Sequence, residues 1–313
     1  MTLKLTIISN IVSSLFRRDP LISLPSPHGY ANFGFKAIAA NGQSYKYGDR
    51  NLYTVIPKSK PQNVETKPLG YRFELIQSFS IQKAGNAIAE CEDIWHYAKG
   101  DQQISIALSD GATESSFAKE WAKELVTAFV NRDHAFMEEP NLQSWLQPIQ
   151  QTWQQWLVNQ NLTWFAKRKA GAGAFATFLG LEILPDLSWQ ALATGDSCLF
   201  IVRNQQANLY FPIQNSHEFN HRPRLIGTYT EVANIQMHQA HGVAELGDRF
   251  YLTTDAIACW IFKQLEASQD PWVKLGELRS QDHFAQWVNE LRDRHEIAND
   301  DTTLLCLEIC RES

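Results

Sequence analysis

Apolar residues recur along this chain in two rhythms from about residue 71 onward. Short runs bounded by Gly, Pro, Asn and Asp predict strands at 71–79, 104–108, 174–183, 189–194, 199–202, 208–211, 250–253 and 303–309. Longer stretches with helical spacing predict helices at about 115–131, 142–167, 256–267 and 281–295. Strands and helices come in blocks: early strands, two helices, a middle run of strands, a helix pair and a last strand. That order predicts an α+β fold, with two antiparallel sheets flanked by helices, rather than a strict βαβ alternation. If 142–167 is one helix, Trp145, Trp153, Trp156 and Trp164 fall within about 100° of arc, which reads as a core stripe. Pro148 is the place where that helix would kink or break.

The first 70 residues follow a different pattern. Leu5, Ile8, Ile11, Val12, Leu15 and Phe16 fit one helical face that ends at Arg17 and Arg18. The expected element is a helix docked on the body. It is too short to span a bilayer and lacks a small-residue cleavage site. Residues 20–70 are rich in Pro, Gly, Asn and Lys and read as an irregular connection. The expected division is an extension over 1–70 and one domain over 71–313.

Charge and cysteines narrow the function classes. With 28 basic against 34 acidic residues the net charge is -6, so no basic face for nucleic acid is implied. The five cysteines, Cys91, Cys198, Cys259, Cys306 and Cys310, are odd in number, scattered and free of any CxxC pair. That argues against a disulfide framework and a zinc knuckle, and for a reducing cytoplasm. No stretch reads as a membrane span.

The candidate chemistry sits where apolar runs meet aspartates. One run ends in Asp110-Gly111, another in Thr254-Asp255, and Asp300-Asp301 opens the last. Strand ends position side chains where water is tolerated, and several carboxylates so placed suit a hard divalent cation. Each also has a plain reading. Asp110 caps a turn and Gly111 adopts positive φ. Asp255 is a helix N-cap. Glu92 and Asp93 form a solvated acidic turn, although their position just before the Asp110 strand puts one of them within reach of Asp110. Gly195-Asp196-Ser197, between two strands, is a hairpin turn.

The order of these segments resembles the metal-dependent type-2C serine/threonine phosphatase family. The matching features are the Glu92-Asp93 turn, the apolar strand into Asp110-Gly111 and the Gly-rich segment from Ala170 to Thr177. Gly195-Asp196-Ser197, Thr254-Asp255 and the closing Asp300-Asp301-Thr302-Thr303-Leu304 complete the series. The resemblance covers about 78–310. It implies a four-layer α-β-β-α sandwich and two ions, Mn²⁺ or Mg²⁺. By position, Asp110 would bridge them. Asp255 and Asp300 would hold one. The Gly111 carbonyl with Asp93 or Glu92 would hold the other. The implied reaction is hydrolysis of phosphoserine or phosphothreonine in a phosphorylated protein. His96 would be the nearest candidate to protonate the leaving group.

The departures are specific. Asp110-Gly111 is followed by Ala112-Thr113-Glu114 instead of x-Gly-Gly, and Asp255 by Ala256 instead of Gly. Ile88 stands where the family has a phosphate-binding Arg, with Lys83 as a candidate substitute. Arg168-Lys169 stand where some members place a third-metal Asp. These point to a divergent bacterial-type member. They leave open a second expectation, the same fold used as a catalytically weak regulatory module.

Overall fold

The segments with β-branched and aromatic alternation pair as strands, and those with helical spacing pack over them. The computed structural model describes residues 35–38, 44–47, 70–100, 102–132, 142–219 and 222–312. Strands β1 (Phe35–Ile38) and β2 (Ser44–Tyr47) form an antiparallel pair. Next come β3 (Tyr71–Ile81), β4 (Ile94–Lys99) and β5 (Ile104–Ser109), then helices α1 (Ala118–Val130), α2 (Leu142–Val158) and α3 (Trp164–Ala170). The middle run is β6 (Phe175–Ala176), β7 (Phe178–Ile183), β8 (Ser188–Thr194), β9 (Cys198–Arg203) and β10 (Gln206–Phe211). It continues with β11 (Ile226–Gly227), β12 (His238–Val243) and β13 (Arg249–Thr253). Helices α4 (Asp255–Glu266), α5 (Pro271–Glu277) and α6 (Gln281–Asp293) precede β14 (Thr302–Arg311).

Two five-stranded antiparallel sheets result. Sheet I has the order β10-β9-β13-β14-β3 and sheet II the order β12-β8-β7-β5-β4. Alternate residues of one strand serve different cores. Phe250 and Leu252 point between the sheets with Phe73, Leu179 and Leu307, while Tyr251 points outward with Phe200 against α4–α6. Ala107, Phe178 and Leu192 of sheet II meet Trp121, Phe129 and Trp153 of α1 and α2 on the other outside face. The layers are therefore helix, sheet, sheet, helix. Because both faces of sheet II are covered, β7 is buried at every position, and its one charged residue, Glu182, is paired with Arg132. Each fully buried Leu, Ile or Phe contributes about 1.5–3 kcal/mol of transfer free energy.

Close packing fixes α1 on its sheet. A Cβ at Gly180 would lie 2.6 Å from the Phe129 ring. Arg132, just past the end of α1, lies 3.7 Å over the same ring and pairs with Glu182 of β7 at 2.9 Å. No helix among the described residues is long and apolar enough to cross a membrane.

The structure departs from the sequence pattern in identifiable places. Strands β4 and β12 were not expected; both are sheet edges with largely exposed side chains, so apolar alternation is weak. The run at 174–183 divides at Thr177 into β6 and β7. The expected helix 142–167 ends at Val158 and resumes only at Trp164, although it passes through Pro148. That break ends the tryptophan stripe: Trp153 is buried, but Trp164 is 74% exposed. Helix α5 is a single short segment capped by Asp270 with Pro271 at its start. Strands β1 and β2 lie inside the stretch read as irregular, each too short for periodicity to register. The expected helix over residues 3–16 lies outside the described residues.

Candidate metal centre

Sheet II delivers one set of carboxylates. At the end of β5 the Asp110 amide donates to Thr177 Oγ1 at 3.0 Å, and the Thr177 amide donates to the Asp110 carbonyl at 2.8 Å. Thr177 Oγ1 is also 3.0 Å from Ser197 Oγ. The turn between β8 and β9 is thereby tied to Asp110, and it carries Asp196. Gly195 in that turn has φ of +103°, and a Cβ there would lie 2.7 Å from Thr177, so only glycine fits. Gly111 is different. Its φ is not positive, contrary to the turn reading; a Cβ would stand 3.0 Å from the Ala118 backbone, so glycine lets α1 start close to the strand.

Sheet I delivers the rest. Thr254 occupies the N-cap position of α4, but its side chain does not cap the helix. Its hydroxyl donates to Asp93 Oδ2 at 3.1 Å and accepts from the Thr303 amide at 2.9 Å. The Thr303 hydroxyl donates to the same Asp93 oxygen at 2.8 Å. Two threonines of sheet I thus clamp an aspartate that precedes β4 of sheet II. Asp255 is the first residue of α4 rather than its cap, and the positive end of the helix favours its charge.

The tandem Asp300-Asp301 divides two tasks. Asp301 is buried, and its oxygens accept from the backbone amides of Lys83 at 2.7 Å and Glu92 at 2.6 Å. It closes two loops and is spent on them. Asp300 is held by its main chain: Arg292 Nη2 donates to its carbonyl at 2.6 Å, while Arg292 Nη1 donates to the Gln82 carbonyl at 3.2 Å. The Asp300 carboxylate accepts from the Asp301 amide at 2.9 Å.

The electrostatics follow from this gathering. Burial, then the charges of Asp93, Asp255, Asp300 and Asp196, pushes the Asp110 carboxyl well above the usual range. Burial also raises Asp93 strongly; the Thr303 hydroxyl opposes the rise, and Asp301 and Asp255 add to it. Burial, with Asp255 and Asp300 nearby, pushes Asp196 up to about 7. Burial and Asp300 push Asp255 up to about 6. Glu92 is raised by burial and partly relieved by a hydrogen bond from Thr113. Asp93 Oδ1 and Asp255 Oδ1 are buried without a hydrogen-bond partner. Among the described residues no ion pair neutralises this group. Nor do any three His, Cys, Asp or Glu side chains form a ready-made cation cage. The carboxylates are neighbours that no salt bridge neutralises; the nearest cation, Arg292, is spent on main-chain carbonyls. Such an all-oxygen donor set, with orphaned oxygens, fits Mg²⁺ or Mn²⁺ better than softer ions.

Asp93, Asp110, Asp255 and Asp300 of the sequence-derived set are thus brought together, with Glu92 and Gly111 beside them. Of the two acidic residues left open, Asp93 is the buried one. Lys83 contributes its backbone amide to Asp301. His96 is exposed on β4, on the outer face it shares with Ile94 and Ala98, and is not gathered with the carboxylates. Asp196 belongs to the gathering although the sequence reading took it as a hairpin residue. An acidic residue held between two largely buried strands is the signal for it. Thr254 and Thr303, which hold Asp93 in place, lie in matched segments that assign them no role, and Arg292 has no sequence signal.

Residues 86–305 match the family profile described as protein phosphatase 2C. No curated protein matches the sequence. Among solved structures the chain is similar to the serine/threonine phosphatase Stp1 from Staphylococcus aureus. The identity is 16% and the TM-score 0.53, over 79% of this chain and 99% of that one. It is also similar to a bacterial serine phosphatase carrying an arginine-to-lysine substitution. There the identity is 14% and the TM-score 0.52, over 78% and 99%. At these identities the structural likeness speaks for the fold alone.

Proposed function

Because this chain belongs to the protein phosphatase 2C family, we propose that it hydrolyses phosphoserine and phosphothreonine monoesters of protein substrates at a centre for two divalent cations, Mn²⁺ or Mg²⁺. The family and the fold support a metal-dependent phosphatase in general terms. The observation that carries the finer reading is the gathering of Asp93, Asp110, Asp196, Asp255 and Asp300 with no salt bridge to any of them among the described residues. A folded protein keeps such a cluster at neutral pH only at a cost, unless a cation completes it.

The roles follow from position. Asp110 stands among four other carboxylates and is the one suited to bridge. Asp255 and Asp300 would hold one ion, and Asp93, or Glu92 beside it, with the Gly111 carbonyl would hold the other. Asp196 borders Asp255 and Asp300. When bound, the cations supply Lewis acidity, which offsets phosphate charge and acidifies a water. The chain's own part is positioning. Thr254 and Thr303 fix one oxygen of Asp93 and leave the other available. Arg292 sets the Asp300 main chain. No serine or cysteine nucleophile is required, and burial pushes the Cys91 thiol, which lies beside the site, up to about 12.

One observation favours a second reading. Ile88 is 80% exposed where the family has its phosphate-binding arginine, so a weak or purely regulatory member is the alternative. Hydrolysis of p-nitrophenyl phosphate with Mn²⁺, with Mg²⁺ and with EDTA, beside Asp110→Asn, separates the two. Metal-dependent turnover lost in the variant is the expected result. Calorimetric Mn²⁺ binding without turnover of this ester or of a phosphopeptide would support the regulatory reading. Absence of both would remove the metal centre.

A further inference from the structure

The end of sheet I remote from the carboxylates is hollow. β13 carries Arg249 at that end and Thr253 at the other, about 13 Å of strand apart. A cavity of ≈ 440 Å³ opens there, walled by Arg249, Tyr251, Trp272, Gly276 and Arg279. That volume lies in the range of small-molecule sites. A narrower cavity of ≈ 100 Å³ shares four of those walls and reaches in to Gln77.

Gln77 is 6% exposed. Its Nε2 donates to the Leu275 carbonyl at 2.7 Å and the Leu278 carbonyl at 2.9 Å, which fixes the orientation of the amide. Its Oε1 is buried with no donor. A buried acceptor of this kind is normally satisfied by something. At the wider part, Arg249 is anchored through Nε to Glu308 Oε2 at 2.8 Å, and Arg279 is exposed at the rim. The one acidic side chain on the wall, Glu277, lies 3.7 Å from Lys274. Between these polar ends are the Tyr251 and Trp272 rings, 5.3 Å apart and inclined by 30°.

The walls therefore offer two guanidiniums, an aromatic middle and a buried hydrogen-bond acceptor in sequence. Guanidinium forks match phosphate oxygens, and aromatic walls match a planar ring. We infer that this pair of cavities binds a small phosphorylated planar molecule bearing an N–H donor, a mononucleotide in chemical class. The phosphate meets Arg249 and Arg279, the ring lies along Trp272, and the N–H reaches Gln77 Oε1. The site is separate from the carboxylate cluster and does not depend on the phosphatase reading.

The test is calorimetric titration of the full chain in EDTA with adenosine 5′-monophosphate, inorganic phosphate and adenosine. The monophosphate is expected to bind at least about tenfold more tightly than either part, since both ends contribute. Arg279→Ala, a change at an exposed residue, should weaken it about tenfold. Gly276→Leu should abolish it without lowering the melting temperature. The nearest atom to a Cβ at that position is Arg249 Nη1 at 4.0 Å, so the side chain fits and fills the cavity. No binding at millimolar monophosphate would overturn the inference and leave water as the partner of Gln77. Equal affinity for inorganic phosphate, or binding that survives Gly276→Leu, would overturn it as well.

Discussion

Replacing Asp196 by Asn should make the metal-free protein more stable at pH 8 and remove much of its dependence on pH. The Asp196 carboxyl is buried and is pushed from 3.8 to about 7 by burial, then by Asp255 and Asp300. A carboxyl whose folded pKa is raised favours the folded state most below its unfolded pKa. That advantage is lost as pH rises through the folded value. The interval is about three pH units, and at 1.36 kcal/mol per unit the ionised form costs about 4 kcal/mol. Between pH 5 and pH 8 the metal-free protein should lose about 2–3 kcal/mol through this group. The proton is shared with neighbouring carboxylates, so the measured slope belongs to the cluster. In Asp196→Asn the charge is gone. Guanidinium unfolding or calorimetry in EDTA should show a flatter profile and, at pH 8, a melting temperature higher by about 5–10 °C. Saturating Mn²⁺ should invert the order, because the parent protein then gains binding energy that the variant lacks in part. Identical pH slopes for the two proteins in EDTA would refute the reasoning. So would a metal-free parent whose stability rises from pH 5 to pH 8.

Three further changes test how the frame supports the site. Arg292→Met should lower Mn²⁺ affinity by about tenfold and cost about 1–3 kcal/mol. The Gln82 carbonyl would lose its guanidinium donor and the Asp300 carbonyl would keep only the Thr302 hydroxyl at 2.9 Å; unchanged calorimetric affinity and unfolding midpoint would count against that role. Gly180→Ala should lower the unfolding midpoint by about 1–3 kcal/mol through overpacking, because the added methyl would meet the Phe129 ring; a neutral result would mean that α1 shifts freely on sheet II. Arg132→Ala should cost about 3–5 kcal/mol, since the Glu182 charge stays buried without its guanidinium. Arg132→Ala with Glu182→Leu should recover a good part of that stability, and a double variant no better than the single would contradict the pairing.

The strands that build the cores were legible because both faces of β5, β7, β9 and β14 are covered, so apolar residues occupy both sides of each strand. Edge strands β4 and β12 were not, since solvent on one side permits His96, Tyr97, His238 and His241. Asp110, Asp255 and the Asp300-Asp301 pair could be read because each stands at the terminus of an apolar run. Gly195-Asp196-Ser197 reads as a hairpin turn because Gly-Asp-Ser is common turn chemistry; that β8 and β9 lie in different sheets, and that Asp196 is buried beside Asp255 and Asp300, are tertiary properties. The choice between Asp300 and Asp301 depends on which carboxylate meets the amides of Lys83 and Glu92, more than two hundred positions earlier. No local pattern encodes that partner. The same holds for Thr254 and Thr303, whose value lies in reaching Asp93 across the sandwich.

The place of β14 has a consequence for the chain as it is being made. It is inserted between β13 and β3, so sheet I lacks a central strand until residues 302–311 arrive. Until then β3 and β13 keep open edges, and Asp93 lacks the Thr303 hydroxyl. A nascent chain that has emerged as far as α6 carries every carboxylate of the cluster except Asp300, yet has no means of assembling them. Assembly of the carboxylate cluster thus waits on β14. Ribosome-stalled or clipped fragments that end before β14 would be exposed to aggregation through unpaired edges.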